Sequence, residues 1–442
     1  CLKETDTSKQ KACERIAIVG MSGLFPSANN TKELWEILEK GKNVICKVPD
    51  QRTEWYQDNK KHDYRMGVIP QIDEFDPLFF EISPADAINM VPEQRLLLEQ
   101  IWNALEDAGY GAQLLQTDRI GVFVGAEDSD YRMILPEEGN ITADNLALLS
   151  ARIAYFLDFK GPNMTISTAC SSGLMALHQA YSSIKNGECD TAIVAGVSIL
   201  STSSAYDKME KAGMLASDRK CYGFDKRANG MVPAEAVAVV ILKRESKAYH
   251  DRNRIYASIV ASGTNYDGRT NGITAPSGES QKELLKSVYE EYRVDPRKIG
   301  YIITHGTSTK LGDPIELNAL NEVFSSYTNQ TNFCAIGTVK ANIGHTLAAS
   351  GIVSLISMIL AMNRQMIPKQ IHSEIKNEYI NWNNSPFYLP QNNRVWKGTP
   401  DNPRLGAISA FGMGGTNVHL VIESSESSDE MSDCYPCELL LI

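Results

Sequence analysis

Short apolar runs alternate with amphipathic stretches along most of the chain. "RIAIVGM" (15–21) and "RIGVFVGA" (119–126) are almost wholly apolar and glycine-closed, as strands buried on both faces are. "TAIVAGVSIL" (191–200), "AVAVVILK" (236–243), "IYASIVASG" (255–263) and "GYIIT" (300–304) repeat the pattern. Helices are predicted between several of them. Asn30 followed by Glu33 marks a helix start at "TKELWEILEKG" (31–41). "VPEQRLLLEQIWNALEDAG" (91–109) has Pro92 in its first turn and Gly109 at its stop. "VSLISMILAM" (353–362) is too short to span a bilayer and reads as a buried helix. The class is α/β, with much of the sheet covered on both faces. No repeat is visible in the letters, although a division near residue 250 leaves several such units on each side.

Composition narrows the function. Of 442 residues 43% are hydrophobic and 22% charged, as in an ordinary soluble globular protein. A net charge of −11 leaves no basic stripe for nucleic acid, and no membrane span or signal peptide is expected. The nine cysteines lack metal-ligand spacing; the close pair Cys434 and Cys437 has no second pair or histidines to complete a zinc site. Reduced thiols in the cytoplasm are expected. The ends read as linkers: a polar 1–13, and an acidic serine-rich "ESSESSDEMSD" (423–433) followed by "CELLLI". A segment of a longer polypeptide is expected.

One turn invites chemistry. "PNMTIST" (162–168) reads as a strand and "SSGLMALHQAYSSIKNG" (171–187) as a helix stopped by Gly187, which leaves Cys170 in the turn between them. Its small neighbours suit a tight packing joint or an exposed nucleophile. The helix N-terminus is expected to favour the thiolate; an unperturbed thiol is only about 3% ionised at pH 7, and about 2 kcal/mol would make half of it reactive. His305 follows an apolar strand in "GYIITHGTSTKLGDPIE" (300–316), and His345 precedes a helix in "GTVKANIGHTLAASGIVS" (337–354). Each histidine alone is an ordinary structural residue. A cysteine with two histidines in glycine-rich strand-end loops can make a nucleophile with two imidazoles to manage charge. His178 reads as structural, and His62, His250 and His372 carry no signal.

"TACSSGLMALH", "HGTSTKLGDPIE" and "KANIGHTLAASG" together resemble the Cys–His–His signatures of the β-ketoacyl synthase family, and more narrowly the ketosynthase domains of modular type I polyketide synthases. "RIAIVGMSGLFP", "FDPLFFEISPADAINMVPEQRLLLE" and "ISAFGMGGTNVHLVIE" extend the resemblance over roughly residues 14–423. It implies a thiolase-type fold, two similar α/β halves (about 14–250 and 251–424) in a five-layered αβαβα sandwich, and a homodimer. The strand "TAIVAGVSIL" is expected to pair with its copy across the two-fold axis.

The resemblance also implies roles. Cys170 would take an acyl chain from the phosphopantetheine arm of an acyl carrier protein; no bound cofactor or metal is expected. His305 and His345 would stabilise the enolate left when a malonyl-type extender loses carbon dioxide. Backbone N–H groups of Cys170 and Met413 would form the oxyanion hole, with Met413 in a mobile gate. Lys340 would order the site through a charge partner, Glu316. Partners would be upstream and downstream carrier proteins and other domains of a larger synthase. Whether the extender is loaded by an acyltransferase of the same polypeptide or, as in trans-acyltransferase assembly lines, by a separate enzyme stays open.

Three departures stand out: Ser167 replaces an aspartate, Ser308 a glycine, and Ala234-Glu235-Ala236 a Gly-Glu-Gly, whose added methyls are expected to narrow space near the reaction centre. A thiolase would need a second cysteine in the "GMGGTN" loop, which has none. That loop also lacks the strand–helix setting of a dinucleotide site. A cysteine hydrolase needs only one histidine. A non-elongating domain that merely passes the chain between carriers is the remaining alternative.

Overall fold

Alternate side chains of the central strands enter different cores. In strand Ile16–Leu24, Ile16 and Ile18 join one apolar cluster while Ala17 and Val19 join another. Strand Ala236–Arg244 divides the same way, with Val240 and Leu242 on one face and Val239 and Ile241 on the other. Strands apolar at every position are those with helices over both faces. The computed structural model describes residues 14–55, 63–110, 118–135, 142, 144–399 and 401–425. The linker 1–13, His62, and residues 426–442 with Cys434 and Cys437 lie outside them.

Ten strands form two groups of identical layout. In order across the sheet the first is Asn163–Ile166, Ile120–Gly125, Thr191–Ser198, Ala236–Arg244, Ile16–Leu24. The second is Cys334–Gly337, Ile299–Ile303, Leu405–Phe411, Thr416–Ser424, Ala257–Tyr266, with Phe387–Tyr388 added at its outer edge. Numbered by chain order within each group, both read 3-2-4-5-1. In both, the first two pairings are parallel and the last two antiparallel. The groups join where Ile16–Ile18 meets Ala257–Ile259. The repeat that the letters hide is written in the topology.

Helices Ser172–Asn186 and Ser350–Asn363 lie between the groups and touch strands of both. Pro92–Asp107 and Ala147–Phe156 cover the outer face of the first group; Gly278–Glu291 and Gly312–Ser325 cover that of the second. The result is the five-layered thiolase-type sandwich. The helix ends follow the sequence signals. Asn30 Oδ1 accepts from Glu33 N at 2.9 Å, and Gly41 and Gly187 close their helices in the left-handed conformation. No helix among the described residues is long and apolar enough to cross a membrane.

One expectation fails. Strand Thr191–Ser198 is interior, hydrogen-bonded on both sides to Ile120–Gly125 and Ala236–Arg244, so it has no edge to offer a second copy. The open edge of the first group is Asn163–Ile166, whose more polar residues are only partly buried.

Candidate active site

The repeat brings the chemistry together. Cys170 lies between the third strand of the first group and its middle helix; His345 lies at the matching point of the second group. The two middle helices therefore meet near their N-termini. A Cβ on Gly173 would lie 2.9 Å from Ala348 O, and one on Gly351 2.6 Å from Leu174 Cγ. Small residues at this seam let the helices approach, which answers half of what "TACSSGL" asks. The other half is the turn itself. Ala169 has φ 55°, a left-handed value that is strained for alanine. Ser171 Oγ donates to Thr168 O at 2.8 Å and Ser172 Oγ to Ala169 O at 2.6 Å, while Ser350 Oγ donates to Cys170 O at 3.1 Å. Hydroxyls hold the strained elbow from both helices.

A pocket of about 520 Å³ opens over this elbow, lined by Cys170, His305, His345, Phe411, Gly412 and Met413 among others. The two imidazoles stand 5.6 Å apart, nearly perpendicular, and Phe411 lies 5.7 Å from His305. Burial, with Lys340 adding, holds both histidines well below the ordinary imidazole range, so both are neutral. Leu347 N donates to His345 Nδ1 at 3.2 Å, which leaves the proton of the neutral ring on Nε2. That Nε2 is buried and has no partner, nor has His305 Nδ1. His345 thus offers an unspent N–H donor inside the pocket. Met413 is half exposed, and Gly412 is so close to Thr168 O that a Cβ there would lie 2.3 Å from it. The loop that carries Met413 rests directly on the elbow.

Lys340 and Glu316 act on the same peptide from its two ends. Glu316 accepts from His305 N at 2.7 Å and Gly306 N at 2.8 Å, while Lys340 Nζ donates to His305 O. The lysine thus binds the histidine's carbonyl, and the Glu316 charge reaches it through space. Burial pushes the Glu316 carboxyl up to about 7 and Lys340 down. Asp313, given no role by the sequence reading, is equally buried, is raised to about 7, and fixes Phe224 N and Ser308 N at 2.8 and 2.9 Å.

The expectation of a lowered thiol is overturned. Burial, with a smaller push from Glu127 and against the pull of Lys340, raises Cys170 to about 12. A helix terminus offers about 0.3–1 kcal/mol, and desolvation of a thiolate outweighs that.

Comparison with known proteins places this geometry. Residues 13–248 match the family model "Beta-ketoacyl synthase, N-terminal domain" and 256–374 match "Beta-ketoacyl synthase, C-terminal domain". The chain belongs to the β-ketoacyl synthase family. Polyketide synthase PksM of Bacillus subtilis is 47% identical over 423 residues, 95% of this ketosynthase and 10% of that protein. Polyketide synthase ThaG of Burkholderia thailandensis is 46% identical over 416 residues, 94% and 7% respectively. The ketosynthase therefore spans a tenth or less of these curated relatives. Among solved structures, the ketosynthase from module 6 of the bacillaene synthase of Bacillus subtilis is 42% identical with a TM-score of 0.88, over 93% of this chain and 72% of that one. The oxazolomycin ketosynthase domain OzmH KS7 of Streptomyces albus is 32% identical with a TM-score of 0.89, over 96% and 77%. The chain's fold and both family segments are those of a ketosynthase domain.

The departures fall around the ketosynthase site rather than in it. Ser308 has φ 62°, a left-handed position that favours glycine, and its hydroxyl is buried without a partner. Ser167 is exposed beside the elbow. Ala234 and Ala236 are fully buried and are absent from the pocket lining. Ala234 N donates to His345 O at 2.8 Å, and its methyl faces the bare backbone of Gly67 and Gly344, where a Cβ would lie 2.7 and 2.9 Å from it, instead of narrowing the pocket. Between the two alanines, Glu235 meets Arg52 at 2.7 Å in a buried ion pair. Away from the site, His178 is bonded to Ser262 and His250 is exposed, while His372 lies against Tyr222.

Proposed function

We propose that this ketosynthase elongates a polyketide by decarboxylative Claisen condensation. An acyl carrier protein delivers the acyl chain as a phosphopantetheine thioester. Cys170 Sγ attacks the thioester carbonyl, the oxyanion is held by Cys170 N–H and Met413 N–H, and the pantetheine thiol departs with the proton that Cys170 gives up. A second carrier then brings a malonyl-type extender whose thioester oxygen receives hydrogen bonds from His305 and His345. The bond to the extender's carboxylate breaks, carbon dioxide leaves, and its electron pair becomes the enolate. The enolate carbon attacks the acyl carbonyl and Cys170 is expelled as thiolate, to be reprotonated from solvent.

The observation that carries this reading is the unpartnered Nε2–H of neutral His345, buried in the same pocket as Cys170. A transfer station needs the thiol and oxyanion donors alone; donors aimed elsewhere in the pocket are required for an enolate. The chain would work in the cytoplasm as a segment of a larger synthase, its described cysteines free. It would be a homodimer joined at the open edge of Asn163–Ile166, where Met164 and Ile166 are only partly buried. The test is to load the domain from an acyl thioester, add malonyl carrier protein, and follow carbon dioxide and β-ketoacyl product. Equal amounts of both are expected. Loading with no carbon dioxide from any extender would make it a non-elongating transfer domain.

A further inference from the structure

Helix Gly278–Glu291 opens on the pocket wall with its first turn tied down from several sides. Ser280 N donates to Ser277 Oγ at 3.2 Å and Asn265 Nδ2 donates to Ser280 O at 2.7 Å. Ser280 Oγ reaches Asp267 O at 3.3 Å, and Asn417 Nδ2 holds Asp267 Oδ1 at 2.7 Å. Gln281 comes next and breaks the pattern. It is 2% exposed and lines the pocket that holds Cys170, yet its side-chain oxygen Oε1 is buried with no hydrogen-bond partner. Buried amide groups are almost always paired. An unpaired one on a pocket wall matches a donor carried by whatever fills the pocket.

The position narrows the identity of that donor. The pocket extends from buried Cys170 to Leu311, which is 73% exposed. Gln281 shares the pocket lining with Leu311, and the two helices that carry this wall pack together at their first turns: a Cβ on Gly278 would lie 3.3 Å from Ile315, in the helix that follows Leu311. A carrier-bound thioester that reaches Cys170 through this pocket lays its phosphopantetheine arm along its wall, whatever acyl group it bears. The arm contains two amide linkages, each with an N–H. We infer that the Gln281 side-chain amide accepts a hydrogen bond from an amide N–H of the phosphopantetheine arm and so positions the thioester over Cys170. This rests on the carrier-delivered reading above. Gln281 is a positioning residue, since it touches the arm and leaves the reacting carbonyl to the elbow.

The test compares acyl loading of Cys170 from donors that share one acyl group and differ in the arm. Acyl-pantetheine keeps both amides, the N-acetylcysteamine thioester keeps one, and the ethanethiol thioester keeps neither. Gln281→Met, of similar length, is expected to raise KM for acyl-pantetheine about three- to tenfold, the worth of one hydrogen bond. Its kcat for loading and its rate with the ethanethiol thioester stay unchanged, which also shows that the variant is folded. Gln281→Glu keeps an acceptor oxygen and is expected to recover most of the lost affinity. An unchanged KM for acyl-pantetheine in Gln281→Met, or an equal loss with all three donors, would overturn the inference. If the unmodified chain takes no acyl group from acyl-pantetheine, the carrier-delivered reading itself falls, and the inference with it.

Discussion

Cys170 is subject to two opposed effects. Its place before a helix favours the thiolate, while its burial disfavours it and wins, leaving a thiol raised to about 12. With the pKa above the working range, the thiolate fraction grows tenfold for each pH unit. Alkylation of Cys170 by iodoacetamide is therefore expected to accelerate about tenfold per unit from pH 7 to 9. A plateau below pH 8.5 would reveal a resting thiolate. Glu316 is the second residue with a sharp consequence. Its carboxyl satisfies the buried N–H groups of His305 and Gly306 and faces the buried Lys340 charge. Glu316→Ala is expected to cost about 2–4 kcal/mol in urea unfolding, because it orphans two donors and isolates a charge. A loss under about 0.5 kcal/mol would show that the His305 loop holds itself.

The seam between the two middle helices carries the elbow. In Gly351→Ala, helix propensity would gain about 1 kcal/mol, but the new methyl would meet Leu174 Cγ at 2.6 Å and its backbone N at 2.8 Å. Overpacking against a backbone atom outweighs propensity, so a net loss of about 1–2 kcal/mol and slower acyl loading are expected. Thermal unfolding with equal or greater stability would mean that the helices can separate freely. Much of this level is legible in the sequence. The apolar runs, the caps at Asn30 and Gly187 and the turn at Cys170 all announce themselves by local pattern. The 3-2-4-5-1 repeat does not, because the two halves share burial and order while their letters differ. The misplaced edge has the same origin. "TAIVAGVSIL" is apolar throughout because it is interior, whereas the true edge, Asn163–Ile166, is short and half polar. Gln281 was invisible for a related reason. In "SGESQKELL" it reads as one more polar residue of an exposed helix start, and only its burial sets it apart.

Among the described residues, the first half of the large central sheet ends in an open edge at Asn163–Ile166, which a second copy would close. Light scattering at micromolar concentration is expected to give about twice the 48.9 kDa chain mass. Met164→Asp, which charges that edge, is expected to shift the population toward monomer; a monomeric unmodified chain would contradict the interface. The proposed reaction also belongs to this scale, because it would draw Cys170 from one half of the repeat and His305 and His345 from the other. The most direct measurement loads the unmodified domain, His305→Ala and His345→Ala with the same acyl thioester, adds malonyl carrier protein, and reads acyl-Cys170 by intact mass beside carbon dioxide release. All three are expected to load, and each histidine variant to lose about 10²–10³ in carbon dioxide release and condensation. A histidine variant that condenses at the unmodified rate would contradict the account.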